Sequence, residues 1–265
     1  MTAVNLTKLN NEIYELLAFF TRPVEFHAKL NHLFEFYGVQ VYQSGVGVKS
    51  NARLKKYHLP VLVLMQCERL IHKRCVENPH AALRLFDELI EDPYVEINQF
   101  AASILGSLPE SVADEVIERI DSQGKKWERD ERLVEFITRS TTLIIGNATE
   151  QWINYLDNAL PNALEEYQRF GLQLLTTSLL HKSFENMPFF YRHFFLFLPE
   201  ANLRFQPEYV YLFQEMYNKY PTESVHFFEQ ALSMIQNETF FRIFRRFLPN
   251  LAEPERSRLR ELAKG

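Results

Sequence analysis

Apolar residues recur at steps of three and four through most of this chain, and the sharpest run is Ile97, Phe100, Ala101, Ile104, Leu105 and Leu108. That spacing puts these side chains on one face of an α-helix. Asp92 is placed to cap the helix, and Pro93 suits its first turn. Ala101 and Ala102 let a neighbouring helix approach closely, and Gly106 tolerates the left-handed backbone on which many helices stop. The same period, punctuated by prolines, predicts helices over 9–20, 24–36, 59–76, 79–91, 93–107, 110–121, 129–145, 150–160, 162–181, 188–198, 207–220, 223–235, 238–248 and 254–263. Short polar connections place successive helices antiparallel. Only 37–51 is irregular, and its valines and glycines fit either a short hairpin or a loop.

A second pattern points to repetition. Phe190-Tyr191-Arg192-His193-Phe194-Phe195-Leu196-Phe197-Leu198-Pro199 aligns without a gap on Phe240-Phe241-Arg242-Ile243-Phe244-Arg245-Arg246-Phe247-Leu248-Pro249. Each reads as an aromatic helix with its first arginine outward, stopped before a proline. Further Leu-Pro steps stand at Leu59-Pro60, Leu108-Pro109 and Leu160-Pro161, most of them about fifty residues apart.

The order Asp92-Pro93, then Val95 and Ile97, then Ala101-Ala102, then Leu105-Gly106-Ser107-Leu108 resembles the second helix of a HEAT repeat. HEAT repeats usually carry an arginine just after the branched residue, where it joins a ladder of polar contacts. Asn98 stands there in this chain, a departure that leaves the apolar face intact. The resemblance implies an all-α protein, an α-solenoid of antiparallel HEAT-like helix pairs forming a single domain over 1–265.

Composition narrows the setting. With 265 residues, 46% of them hydrophobic and only 8 glycines, the chain has enough apolar side chains for a substantial core and few signs of a linker. No apolar run reaches the length of a membrane span, since the densest, 187–198, is short and contains Arg192 and His193. The opening residues lack the basic start and apolar core of a signal peptide, so a soluble cytoplasmic protein is expected. Cys67 and Cys75 fall eight positions apart on one helix, about 12 Å along its axis, too far for a disulfide. His72 shares a helical face with Cys75, but no second cluster completes a metal site, and buried thiols are the expectation.

Charge is segregated along the chain more than its net value of −5 suggests. Over 49–74, Lys49, Arg53, Lys55, Lys56, Arg69, Lys73 and Arg74 face a single acid, Glu68. Over 77–121 the balance reverses, with Asp87, Glu88, Glu91, Asp92, Glu96, Glu110, Asp114, Glu115 and Glu118 outweighing Arg84 and Arg119. Such segregation either steers a charged partner or is a set of solvated helix faces. The basic residues are candidates for binding a polyanion or a partner. Trp127, after Lys125-Lys126, is a further candidate for stacking on a partner, whereas Trp152 falls on an apolar stripe with Ile153 and Leu156 and is expected in the core.

Catalytic chemistry finds little support. Ser44-Gly45-Val46-Gly47-Val48-Lys49-Ser50 resembles the end of a phosphate loop but lacks its first glycine, its spacing and a preceding strand. Acid pairs such as Asp87-Glu88 and Glu165-Glu166 are adjacent, so their side chains diverge by about 100° on a helix. No serine or cysteine sits in a recognisable nucleophile turn, and no catalytic, cofactor or metal set is expected. Two functions follow. The first is a noncatalytic HEAT-like scaffold that binds a protein partner through a curved helical surface. The second rests on size, helical class and the basic segment, which resemble the HEAT-like alkylpurine DNA glycosylases and imply a DNA-binding repair protein. That family's tryptophan pair and catalytic aspartate have no counterpart here, and the acidic stretch disfavours a broad DNA surface.

Overall fold

The computed structural model describes residues 4–38 and 54–264, all of whose regular structure is helical. The hairpin-or-loop segment and its phosphate-loop-like end lie almost wholly outside the described residues, as do Lys49 and Arg53. Backbone contacts gather the chain into two compact units, Met1–Ile120 with Val134–Ala148, and Asp121–Leu133 with Thr149–Gly265.

The first unit contains α1 (Leu6–Leu17), α2 (Pro23–Tyr37), α3 (Val61–Glu77), α4 (Pro79–Leu89), α5 (Val95–Leu105) and the start of α6 (Ala113–Lys126), followed later by α7 (Leu133–Ser140) and α8 (Ile144–Asn147). Asn5 opens α1 by accepting the N–H of Lys8 at 3.1 Å, and Pro23 and Pro79 stand in the first turns of α2 and α4, where no intrahelical N–H is needed. Helix α3 packs on α1, α4 and α5, and α2 packs on α1 and α4. From α1 to α5 each helix therefore meets the one after next, and three of the four sequence-adjacent pairs, α1 with α2, α3 with α4 and α4 with α5, pack directly as well.

The second unit contains α9 (Thr149–Glu166), α10 (Gln168–Leu180), α11 (Met187–Phe197), α12 (Gln206–Lys219), α13 (Pro221–Met234), α14 (Glu238–Phe247) and α15 (Glu255–Leu262). Here α10 packs on α9, α11 and α12, α9 also packs on α11, α12 packs on α13 and α14, and α13 packs on α15. Asn186 and Asn237 accept N–H groups in the first turns of α11 and α14, at 3.1 Å from Phe189 and 2.8 Å from Thr239.

The apolar face predicted around α5 is buried, with Ile97, Phe100, Ala101, Ile104, Leu105 and Leu108 all in the core. Its ends differ from the expectation. Asp92 does not cap the helix, which starts after Tyr94; its Oδ1 instead accepts the Tyr94 N–H at 2.8 Å and closes a turn ahead of it. Gly106 is right-handed, at φ −64° and ψ −6°. Glycine is needed there for close approach, because a Cβ would lie 2.0 Å from the backbone oxygen of Arg139. Asn98 is buried and donates to the carbonyls of Ile90 and Asp92 at 3.1 and 3.0 Å, so it satisfies the end of α4.

The aligned aromatic segments have matching burial. Phe190, His193, Phe194, Phe197 and Leu198 are inside, as are Phe240, Ile243, Phe244, Phe247 and Leu248, while Arg192 and Arg242 are exposed. The helix expected over 110–121 starts at Ala113 and runs on to Lys126, and two breaks in the chain fall elsewhere than expected. Pro161 lies within α9, flanked by buried Leu160 and Ala163, and the chain breaks instead at Tyr167. The helix expected over 129–145 is two pieces. Asp130 holds the backbone N–H and guanidinium of Arg132 in a turn before α7, and Thr141 and Thr142 bond back to the carbonyls of Ile137 and Arg139, both at 2.8 Å.

His193 occupies the core position that Ile243 fills in the aligned helix. Its Nε2 lies 2.8 Å from Asp157 Oδ1, and Nδ1 is buried without a partner. Burial pulls its pKa below the usual value, against its hydrogen bond to Asp157, with the Arg192 charge acting in the same direction as burial. The unfolded chain therefore takes up a proton more readily. The resulting stability is complete above about pH 6.5 and is lost as pH falls through the lowered folded value. His193→Ile should flatten this dependence, leaving Asp157 its contact with Arg192 at 2.9 Å. Urea midpoints measured between pH 5 and pH 7 check it; an unchanged slope in the variant would reject His193 as the source.

Candidate functional site

The residues that the charge pattern singles out meet on α3 and the segment leading into it. Val63, Leu64, Cys67, Ile71 and Cys75 point inward and anchor the helix. Both thiols are free, and burial pushes each up to about 12, so neither is a thiolate nucleophile near neutral pH. Glu68, the single acid of the basic stretch, turns sideways. It accepts from Arg139 and from Ser103 Oγ, the latter at 2.8 Å, and Glu135 also pairs with Arg139.

With Glu68 drawn off, the outer side of α3 combines exposed apolar and cationic groups. Val61 is 74% exposed, Leu62 39%, Met65 57% and Val76 46%. Arg69, His72 and Lys73 are also exposed. At 100° per residue, these seven positions fall within an arc of about 120°. Arg74 lies off that arc; it and Lys73 both approach Glu77, at 3.5 and 3.6 Å. Such exposed pairs contribute little to stability.

The approach to α3 is fixed from below. Glu96 is buried and its carboxylate accepts the N–H groups of Tyr57 at 3.1 Å and His58 at 2.8 Å. The Lys55 carbonyl accepts from Val95 at 3.0 Å, and the Tyr57 ring stacks on Tyr94 with centroids 3.9 Å apart. Tyr57 also donates to Asn31 at 2.8 Å, and burial pushes its phenol well above the usual range. His58 takes a positive φ of 56°, so it is a strained turn residue ahead of α3. Lys55 and Lys56 are exposed on this segment, with Lys55 Nζ 5.7 Å from the Tyr94 ring centroid.

Trp127 does not offer a stacking surface. It is buried in the second unit with the Arg132 guanidinium 4.2 Å from its ring centroid. Trp152 is in the core as expected, donating to Ser178 Oγ at 2.9 Å. The acidic run is also less of a solvated face than its sequence suggests. Asp87 binds Arg119 through both carboxylate oxygens, at 2.8 and 2.7 Å. Asp92 Oδ2 and Glu88 Oε1 flank the His27 ring at 2.6 and 3.0 Å, and Glu96 is spent on backbone N–H groups. What the sequence reading missed is the apolar half of the α3 arc. Its signal was the unbroken run Val61-Leu62-Val63-Leu64-Met65, which contains more apolar residues than one helix face can bury.

Other concavities are differently made. A cleft of about 360 Å³ between α1 and α2 has Leu16 and Leu33 as its apolar floor and Glu12, Lys29 and His32 on its rim. A cleft of about 600 Å³ in the second unit includes Arg129, Arg204, Tyr167 and Phe205. Glu128, also there, accepts the N–H groups of Arg169 and Phe170 at 3.0 and 2.8 Å, so an internal carboxylate already occupies the start of α10. Among the described residues no group of three or more His, Cys, Asp or Glu side chains is placed to hold a metal ion, and no helix is long and apolar enough to cross a membrane. Comparison with protein-family models, curated proteins and solved structures gives no match to this chain.

Proposed function

We propose that this protein is a noncatalytic helical scaffold built of HEAT-like antiparallel helix pairs, which binds a protein partner through an exposed helical surface. The observation that carries the reading is the outer arc of α3, where Val61, Leu62, Met65 and Val76 remain exposed beside Arg69 and Lys73. Water-exposed apolar side chains grouped on one helix face favour association, since covering each releases its hydration. The next-but-one packing that recurs within each unit, and the matching burial of the aromatic segments in α11 and α14, support a repeating helical design.

Site-specific photocrosslinking tests the function. A benzophenone side chain at Met65 in the full-length protein should capture a defined protein in the native cell, whereas one at Arg74, outside the arc, should not. Equal capture at both positions, or none at Met65, would count against α3 as the binding face. Titration of fluorescent duplex DNA at near-physiological salt separates the DNA-binding alternative. Submicromolar affinity that disappears in Lys55→Glu/Lys56→Glu would replace the scaffold with a nucleic-acid function.

A further inference from the structure

We infer that the outer face of α3 receives an acidic amphipathic helix of its partner, given that α3 is the binding face proposed above. The helical form follows from hydrogen-bond accounting. The backbone groups of α3 are largely committed to its own ladder, and no strand edge exists among the described residues. A segment lying on this face must satisfy its own N–H and C=O groups while it buries apolar side chains. A helix does so internally; an extended segment finds no edge to pair with.

The acidic character follows from the order of residues along the arc. Val61, Leu62 and Met65 make an apolar first half, and Arg69, His72 and Lys73 follow over the next turns. Among the described residues the Arg69 side chain bonds only to Gln66, at 2.9 Å, and Lys73 shares Glu77 with Arg74. This face thus carries more positive charge than its own carboxylate balances. From Val61 to Lys73 the axis runs about 18 Å, so a partner helix of about twelve residues covers both halves. Its apolar side chains would sit over Val61, Leu62 and Met65, with carboxylates one to two turns along. A second copy of α3 is a poor occupant. A two-fold axis through the middle of the arc sets Arg69 against its own image, and a parallel pair sets every cation against itself.

Fluorescence anisotropy with the full-length protein and two labelled helical peptides tests this. One peptide carries leucines at helical spacing followed one turn later by glutamates; the other has lysine in place of each glutamate. The glutamate peptide should bind about tenfold more tightly than the lysine peptide, as expected of a few partly screened ion pairs. Arg69→Glu/Lys73→Glu should reverse that order, and Met65→Asp should weaken both peptides. Equal binding of the two peptides, an unchanged preference in the double variant, or binding of neither peptide overturns the acidic-helix inference. Crosslinking from Met65 to a protein under any of those outcomes would still uphold the scaffold reading. Self-association lost in Met65→Asp would put a second copy on the face and overturn the inference as well.

Discussion

Phe213→Ala should destabilise the second unit by about 3–5 kcal/mol, the cost of emptying a site whose walls cannot collapse into it. Phe213 on α12 is fully buried, with its ring centroid 5.6 Å from that of Phe194, 5.5 Å from Phe228, 5.5 Å from Phe244 and 5.6 Å from Phe247. These partners come from α11, α13 and α14, so one ring joins four helices. Mixed edge-to-face and tilted arrangements add quadrupole attraction to the area buried. Both tryptophans lie in the same unit, so urea unfolding followed by tryptophan fluorescence reads the loss directly. Phe213→Leu should cost less, since it keeps most of the volume. A loss under about 1 kcal/mol for the alanine variant would show that the aromatic cluster is not close-packed.

Gly106→Ala should cost about 3 kcal/mol, at the upper end of overpacking effects. The new methyl would meet the Arg139 carbonyl oxygen at 2.0 Å and the carbonyl carbon at 3.1 Å, and this backbone cannot rotate aside as a side chain can. The same oxygen accepts from Thr142 Oγ1 at 2.8 Å, which ties the end of α7 in place. Faster hydrogen exchange in α5 and α7 should accompany the loss. Gly106→Asn separates this cause from a left-handed cap. Asparagine relieves a left-handed position and would then outperform alanine, whereas close approach makes it worse. A variant series ranking asparagine above alanine would reject the steric account.

Much of the local structure was legible because its causes are local. Prolines at the first turns of α2, α4, α11, α12 and α13 and the three-to-four spacing of apolar residues place most helices within a few residues of their observed bounds. Failures came where tertiary contacts outweighed those cues. Pro161 stays inside α9 because the apolar face on both sides of it is buried; its ring and missing N–H cost less than exposing that face. Trp127 follows two lysines, but Arg132 and the turn at Asp130 fold it inward.

The candidate site was half legible. Lys55, Lys56, Arg69, Lys73 and Arg74 are exposed, as a run of basic residues favours, yet Arg74 leaves the arc on which Arg69 and Lys73 stand. Helix period alone settles that geometry. It does not settle which side of α3 meets other helices, since Val61, Leu62 and Met65 are as apolar as Val63 and Leu64. Sequence by itself determined that the regular structure of the described residues is helical, which aromatic faces pack and where most helices begin, because period, capping and proline act within a few residues. Only the tertiary structure decided that Glu68 is spent on Arg139, that Asp92 and Glu96 are buried acceptors, and that the outer arc of α3 is left uncovered. Those outcomes depend on partners from other helices, which no local window of sequence contains.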